Sequence, residues 1–119
     1  MDRARIADRL AHILESIAHL ERVATGRRMQ DLDTDADFDA MVERYIERIS
    51  EASRHVPDTL KAGHPEIDWR GIAAVGNVLR HAYDRIEAKR VWQMVTVDLP
   101  PLKMAISAMR KTLREDKSG

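Results

Sequence analysis

Hydrophobic residues recur at intervals of three and four along most of the chain, which is the pattern of amphipathic helices. In the first such segment, from about residue 3 to 24, the apolar positions are Ile6, Leu10, Ile13, Ile17 and Leu20. Gly26 follows where a residue in the left-handed conformation commonly ends a helix. The spacing therefore predicts a long helix that buries one face.

A second long helix is predicted after a polar connection. Its apolar stripe is Phe38, Val42, Tyr45, Ile49, Ala52 and Val56. Thr34, followed three residues later by Asp37, is suited to cap its start, and Pro57 closes it.

The acidic run before this helix alternates from Asp31 to Asp39, as in a calcium-binding loop. The sixth position of such a loop requires glycine and the twelfth requires glutamate, but here they are Ala36 and Val42. We therefore interpret the run as the acidic start of a helix, where negative charge is favourable.

A third helix is predicted from Asp68, a suitable N-cap, to Ile86. Its buried stripe would be Ile72, Val75, Leu79, Ala82 and Ile86. The segment "AKRVWQMVTVDL" then predicts a short helix with Val91, Trp92 and Val95 inward, although its β-branched residues also allow a strand. After Pro100 and Pro101, a last helix is marked by Leu102, Ile106, Met109 and Leu113.

Together these elements predict an all-α protein, an antiparallel helical bundle of four to five helices. At 119 residues the chain suits one domain, residues 1–119, and its 44% hydrophobic and 4% aromatic content indicates an aliphatic core. Charges cancel, yet residues 1–60 hold 13 acids against 9 bases and residues 61–119 hold 7 against 11. The second half is therefore the side expected to attract a polyanion.

The same composition limits the location and the chemistry. Without cysteine, a secretion signal or a membrane-spanning apolar stretch, the chain is expected to be cytoplasmic. His12, Glu15 and His19 could share a helix face and hold a metal, but the Glu-x-x-His pairs of di-iron bundles are absent. No glycine-rich loop suits a nucleotide phosphate. We expect neither a metal nor another cofactor.

Most of the candidate chemistry lies in "GNVLRHAYDRI", residues 76–86. At about 100° per residue, Asn77, His81 and Asp84 fall on the face opposite the apolar stripe, with Arg80 and Arg85 at its edges. A histidine beside guanidinium groups is suited to RNA cleavage, because it can take the 2′-OH proton while the cations stabilise the phosphate. Spacing alone leaves a solvated helix face as the alternative.

Ordered landmarks around this segment resemble the HepT-like branch of the HEPN superfamily. They are a tryptophan before the helix, "GN" and "HAY" within it, then "VW" and "DLPPL", with "IERISEASRHVP" in the preceding helix. The resemblance implies a homodimeric bundle that acts as a metal-independent endoribonuclease and as the toxin of a toxin–antitoxin pair. The implied antitoxin is an MNT-type nucleotidyltransferase.

The family motif is an arginine, four to six residues, then His-x-Tyr, and it implies catalysis by His81. Tyr83 matches the tyrosine that the antitoxin modifies with AMP in several such pairs. The arginine is missing, because its three possible positions are Ala74, Val75 and Gly76.

Arg80 is the obvious substitute for this arginine, and Asn77 would orient the histidine or the RNA. Asp84 and Arg85 would support them. Gly71, Ala73, Ala74 and Gly76 make the helix thin, which suits a tight seam between two copies. The leading hypothesis is thus an RNA-cleaving toxin. The alternatives are a catalytically weak or inactive module that partners a nucleotidyltransferase and a purely structural helical dimer.

Overall fold

The computed structural model describes residues 2–81 and 88–118, apart from the side chains of residues 80, 81 and 116–118. All regular elements of this part are helical, which confirms the predicted all-α class. They are α1 (Arg3–Ala24), α2 (Asp31–Thr34), α3 (Ala36–Arg54), α4 (Asp58–Lys61), α5 (Trp69–His81), α6 (Ala88–Gln93), a π-helical turn (Met94–Asp98) and α7 (Leu99–Ser118).

The long helices α1, α3, α5 and α7 form the bundle. α3 packs against α1 on one side and α5 on the other, while α7 packs against α1. The His19 ring stacks on Tyr45 with centroids 4.3 Å apart, and Lys103 Nζ donates to Glu21 Oε1 at 3.0 Å. The second contact joins the late part of α1 to the early part of α7, and Arg5 and Arg9 at the start of α1 share a pocket with Arg54 at the end of α3. Helix α1 therefore runs antiparallel to α3 and to α7.

The bounds of α1 follow from its two ends. The Asp2 side chain accepts a hydrogen bond from the Ala4 N–H at 3.1 Å, which satisfies one of the free donors of the first turn. After Ala24, Gly26 adopts φ +76°, a left-handed conformation that glycine takes without strain. The predicted span from about residue 3 to 24 is confirmed.

The predicted cap of α3 is wrong. Thr34 is the last residue of α2, and its hydroxyl donates to the Gln30 carbonyl at 3.3 Å. Asp35 instead has an extended backbone, and its side chain accepts from the Phe38 N–H at 3.1 Å. The short helix α2 takes up the residues that sequence spacing assigned to a loop, which moves the cap by one position.

One hydrophobic core lies between the long helices. Its fully buried large side chains are Leu10, Ile13, Ile17, Leu20, Leu32, Val42, Ile46, Ile49, Met94, Leu102, Ile106 and Met109. The buried face of α3 is broader than its predicted stripe, since it includes Ile46, Ser50 and Ser53, whereas Tyr45 lies at the core edge. Both buried serines donate hydrogen bonds, so neither hydroxyl is left unsatisfied.

The segment that allowed either a helix or a strand is helical, as α6 and the π-helical turn. Val91 and Met94 are buried, and Trp92 and Val95 pack at the core edge. The wider turn ends two residues before Pro100 and Pro101, which have no N–H to continue an α-helical ladder. No helix in the described ranges is both long and apolar enough to cross a bilayer.

Asp35 provides a pH test of this fold. The Phe38 N–H and then Arg27 lower the pKa of its carboxyl below the ordinary 3.8. A carboxyl with a lowered folded pKa stabilises fully above its unfolded pKa and loses that contribution as pH falls through the folded value. We expect Asp35→Asn to lower Tm at pH 7 and the difference from wild type to shrink below about pH 4. A constant difference down to pH 2, in thermal melts followed by circular dichroism, would contradict this role.

Candidate functional site

Helix α5 carries the candidate catalytic residues, and its start is fixed by three local contacts. Asp68 acts as the predicted N-cap, because its Oδ1 accepts from the Gly71 N–H at 3.0 Å. The Trp69 indole N–H donates to the His64 carbonyl at 3.2 Å, and Lys61 Nζ lies 5.6 Å from the Trp69 ring centroid. These contacts set where α5 leaves the preceding loop.

The rotation of α5 is fixed by its packing on α3. Ser50 Oγ and Arg54 Nη2 both donate to the carbonyl of Ala73, each at 3.1 Å. A Cβ added to Gly76 would overlap the Ser50 side chain, so the two helices touch backbone to side chain at this point. With Ile72 and Val75 buried on the same side, the opposite face of α5 must point outward.

The outward face begins with Arg70, Ala74, Asn77 and Val78, which are all exposed. Asn77 therefore lies where the sequence placed it, one turn before His81. Arg80 and His81 occupy the last turn of α5, where the structure describes only their backbone. Tyr83, Asp84 and Arg85 lie outside the described residues. The helix thus brings Asn77, Arg80 and His81 within about 6 Å of rise.

The packing explains why the family arginine has no counterpart at two of its three possible positions. Val75 is buried, and Gly76 is held against Ser50, so neither position has room for an exposed cationic side chain. Ala74 is exposed and is the one position of the three from which an arginine could reach solvent. The close approach at Gly76 is made within the chain, against α3.

Sequence periodicity missed two residues that shape this site, Ser50 and Arg54. Ser50 is fully buried at a position where a helical stripe would place an apolar residue. Arg54 is exposed on the last turn of α3 and reaches across to α5. The acceptor that they share, the Ala73 carbonyl, lies 23 residues from Ser50 and 19 from Arg54. Periodicity relates residues within a few turns of one helix, so it could not reveal this contact.

The histidines of α1 are arranged differently from a metal site. The His19 ring stacks on Tyr45, and its Nδ1 lies 3.1 Å from Arg22 Nη2. Because a guanidinium only donates, His19 Nδ1 accepts in this contact. No three histidine, aspartate or glutamate side chains converge as metal ligands in the described part of the chain.

Comparisons with known proteins agree on one family. A family model described as "Ribonuclease HepT-like" matches residues 13–109. "Probable ribonuclease HepT" of Thermococcus cleftensis is 35% identical over 104 residues, which cover 87% of this chain and 94% of that protein. A comparison with solved structures found no match.

Two further relatives have names that also refer to RNase. "Putative RNase TTE0752" of Caldanaerobacter subterraneus is 24% identical over 108 residues, covering 91% of this chain and 94% of that protein. "Gamma-glutamylcyclotransferase and putative RNase MJ0434" of Methanocaldococcus jannaschii is 29% identical over 110 residues, covering 92% of this chain but 50% of that protein.

The contact at Gly76 leads to a stability prediction. Gly76→Ala should lower the free energy of unfolding by up to about 2 kcal/mol, because an overpacking cost of about 1–3 kcal/mol is offset only in part by a helix-propensity gain of about 1 kcal/mol. Gly76→Arg, which restores the family spacing, should destabilise the fold further. Urea unfolding measures both variants.

The matched control is Gly76→Ala in a Ser50→Gly background, where the overlapping side chain is gone. There the same substitution should stabilise the protein, as a double-mutant cycle would report. Equal effects of Gly76→Ala in the two backgrounds would show that the Ser50 contact does not limit this position.

Proposed function

Since the chain belongs to the HepT-like ribonuclease family, we propose that it is a metal-independent endoribonuclease that acts in the cytoplasm as the toxin of a toxin–antitoxin pair. The observation that carries this proposal is the family match over residues 13–109, which contains all of α5. The exposure of Asn77 on the outward face of α5 supports it, because the next turn of that face contains His81.

We propose that His81 acts as the acid–base residue. As a base it removes the proton of a ribose 2′-OH, and the 2′-oxygen forms a bond to the adjacent phosphorus. The bond from phosphorus to the 5′-oxygen breaks, and that oxygen takes a proton from an acid on the opposite side. The products are a 2′,3′-cyclic phosphate and a free 5′-OH. Arg80 holds the phosphate, and Asn77 orients His81 or the RNA.

The opposing acid follows from the proposed assembly. In a two-fold homodimer, two copies of α5 would meet and place both copies of His81 beside one cleft. One histidine would then be the base and the other the acid. Asp84 and Arg85 would support this cleft. The exposed small residue Ala74 on the outward face of α5 is compatible with such a close approach.

We further propose a regulatory partner, an MNT-type nucleotidyltransferase that serves as the antitoxin. Tyr83, two residues after His81, would accept AMP from it. The transferred AMP would form a phosphodiester with the tyrosine oxygen and release pyrophosphate from ATP. A bulky anion two residues from the base would repel the RNA phosphate and block cleavage.

A second candidate function is favoured by the packing of Gly76 against Ser50. With no arginine at the family position, the chain could keep the nucleotidyltransferase partner and the fold while cleaving RNA weakly or not at all. Wild-type protein that binds a co-expressed nucleotidyltransferase but leaves RNA intact would favour this function over the first.

The first prediction concerns His81. Purified protein should cut single-stranded RNA in the presence of EDTA, and His81→Ala should reduce the rate by at least about 10²-fold, since it removes the proton-transfer group. Light scattering should show the same oligomeric state for both proteins. The matched control is His12→Ala, which removes an exposed histidine from α1. Equal cleavage rates for wild type and His81→Ala would show that His81 is not the acid–base residue.

The second prediction concerns Arg80. If Arg80 substitutes for the missing family arginine, Arg80→Ala should lower kcat/KM by about 10²-fold or more, because it removes a charged donor to the phosphate. Arg80→Lys should recover part of the rate, since it keeps the charge but not the paired donors. Unchanged steady-state kinetics of Arg80→Ala would exclude this role.

A further inference from the structure

A pocket of about 500 Å³ lies at the end of the bundle where α1 begins and α3 ends. Three arginines line it, two from the first turns of α1 and one from the last turn of α3. They are Arg5, Arg9 and Arg54. His55 and Asp58 are the other ionisable residues among the described lining residues. The pocket thus gathers cations from two helices that are far apart in the sequence.

The three guanidinium groups have no acidic partner within the part of the chain that the structure describes. All three arginines are exposed, and within the described residues no carboxylate lies at ion-pair distance from any of them. His55 is already engaged, because its Nε2 lies 3.2 Å from Glu51 Oε1. Three like charges around one pocket repel one another, and a bound anion would relieve that repulsion.

The neighbouring groove between α1 and α3 differs from the arginine pocket in the charge balance of its lining. It has a similar volume, about 490 Å³, and shares Arg9 with the arginine pocket. Its charged lining is balanced, with Arg9, Arg44 and Arg48 against Glu15, Glu47 and Glu51. The arginine pocket instead sets three arginines against one carboxylate, that of Asp58, among its described lining residues, so the excess of positive charge belongs to this pocket and not to the whole α1–α3 face.

Arg54 connects the pocket to the candidate catalytic helix. Its Nη2 donates to the Ala73 carbonyl at 3.1 Å, which anchors the guanidinium beside α5 and leaves its other N–H groups for a ligand. Ala73 precedes His81 by eight residues, or about 12 Å along the helix axis. The pocket is thus too far away to hold the phosphate that is cleaved at His81, but near enough to hold another phosphate of the same strand.

We propose that the arginine pocket binds a backbone phosphate of the RNA substrate, away from the cleaved bond. Guanidinium groups bind phosphate oxygens in pairs of hydrogen bonds, and a preformed cluster of three needs little rearrangement. RNA is the favoured occupant because Arg54 is fixed to the helix that carries His81. This inference rests on the proposed ribonuclease function for the identity of the ligand.

Binding can be tested without cleavage. The probe is a fluorescein-labelled 12-nucleotide RNA of randomised sequence with 2′-O-methyl riboses, which has no 2′-OH to attack the phosphate. Arg5→Gln, Arg9→Gln and Arg54→Gln should each weaken its binding roughly tenfold at low salt, as expected when a charged hydrogen bond is removed. The slope of log K against log salt should fall in magnitude by about 0.7 for each phosphate that the protein no longer neutralises.

The matched control is Arg114→Gln, an exposed arginine on α7 that does not line the arginine pocket. It should leave the affinity and the salt slope nearly unchanged. Arg54→Lys should retain more binding than Arg54→Gln but less than wild type, because lysine keeps the charge and not the paired donors. Equal affinities for wild type and all three pocket variants would overturn the proposal. So would loss of poly-glutamate binding in the pocket variants with RNA binding intact, since that would assign the pocket to an acidic protein.

Cleavage kinetics separate this proposal from the ribonuclease proposal. A dinucleotide contains one phosphate, the one cleaved, and cannot also fill the pocket. Arg5→Gln and Arg9→Gln, which leave the contact between Arg54 and α5 in place, should therefore lower kcat/KM for an unmodified 12-mer and leave dinucleotide cleavage unchanged. If wild type cleaves neither substrate while the pocket variants bind RNA more weakly than wild type, the ribonuclease function is refuted and the pocket proposal stands. Equal kcat/KM for the 12-mer in all variants would refute the pocket alone.

Discussion

The close packing of α3 on α5 is the constraint on which the rest of the molecule depends. Ser50 and Arg54 both donate to the Ala73 carbonyl, and Gly76 lets the Ser50 side chain approach the α5 backbone. Two donors on one carbonyl fix both the register and the rotation of α5. Once that rotation is set, Val75 must be buried and Asn77 must face outward. The face that carries the proposed catalytic residues is therefore selected by a contact on the opposite side of the helix.

The same contact explains the departure from the family motif. An arginine at position 76 would have to displace Ser50, and one at position 75 would have to enter the core. Stability within this chain thus excludes a cation from two of the three places where the family has it. Under the proposed function, a cation that holds the RNA phosphate has to come from elsewhere, either from Arg80 in α5 or from another helix. The proposed RNA cleavage therefore depends on how positions 75 and 76 pack as well as on His81.

Charge counted along the chain gave an incomplete picture of where an anion would bind. The basic excess lies in residues 61–119, yet the arginine pocket is built from Arg5, Arg9 and Arg54 in the acid-rich half. The acids of that half are concentrated around α2 and the start of α3, at the opposite end of α3 from Arg54. Antiparallel packing separates them, because it brings the start of α1 beside the end of α3. Local charge balance is therefore a property of the folded arrangement.

The sequence by itself determined the helices and the family. Spacing of three and four residues predicted the buried faces of α1 and α3, and Gly26 and Asp68 predicted where helices end and begin, because these signals act within one or two turns. The ordered landmarks around His81 indicated the family, because they can be read directly from the sequence. Only the tertiary structure decided the capping by Asp35, the burial of Ser50 and the pairing of Arg54 with α5. Each depends on a second helix: α2 shifts the cap to Asp35, and α5 supplies the acceptor for Ser50 and Arg54. Hydrophobic periodicity within one helix gives no information about such partners.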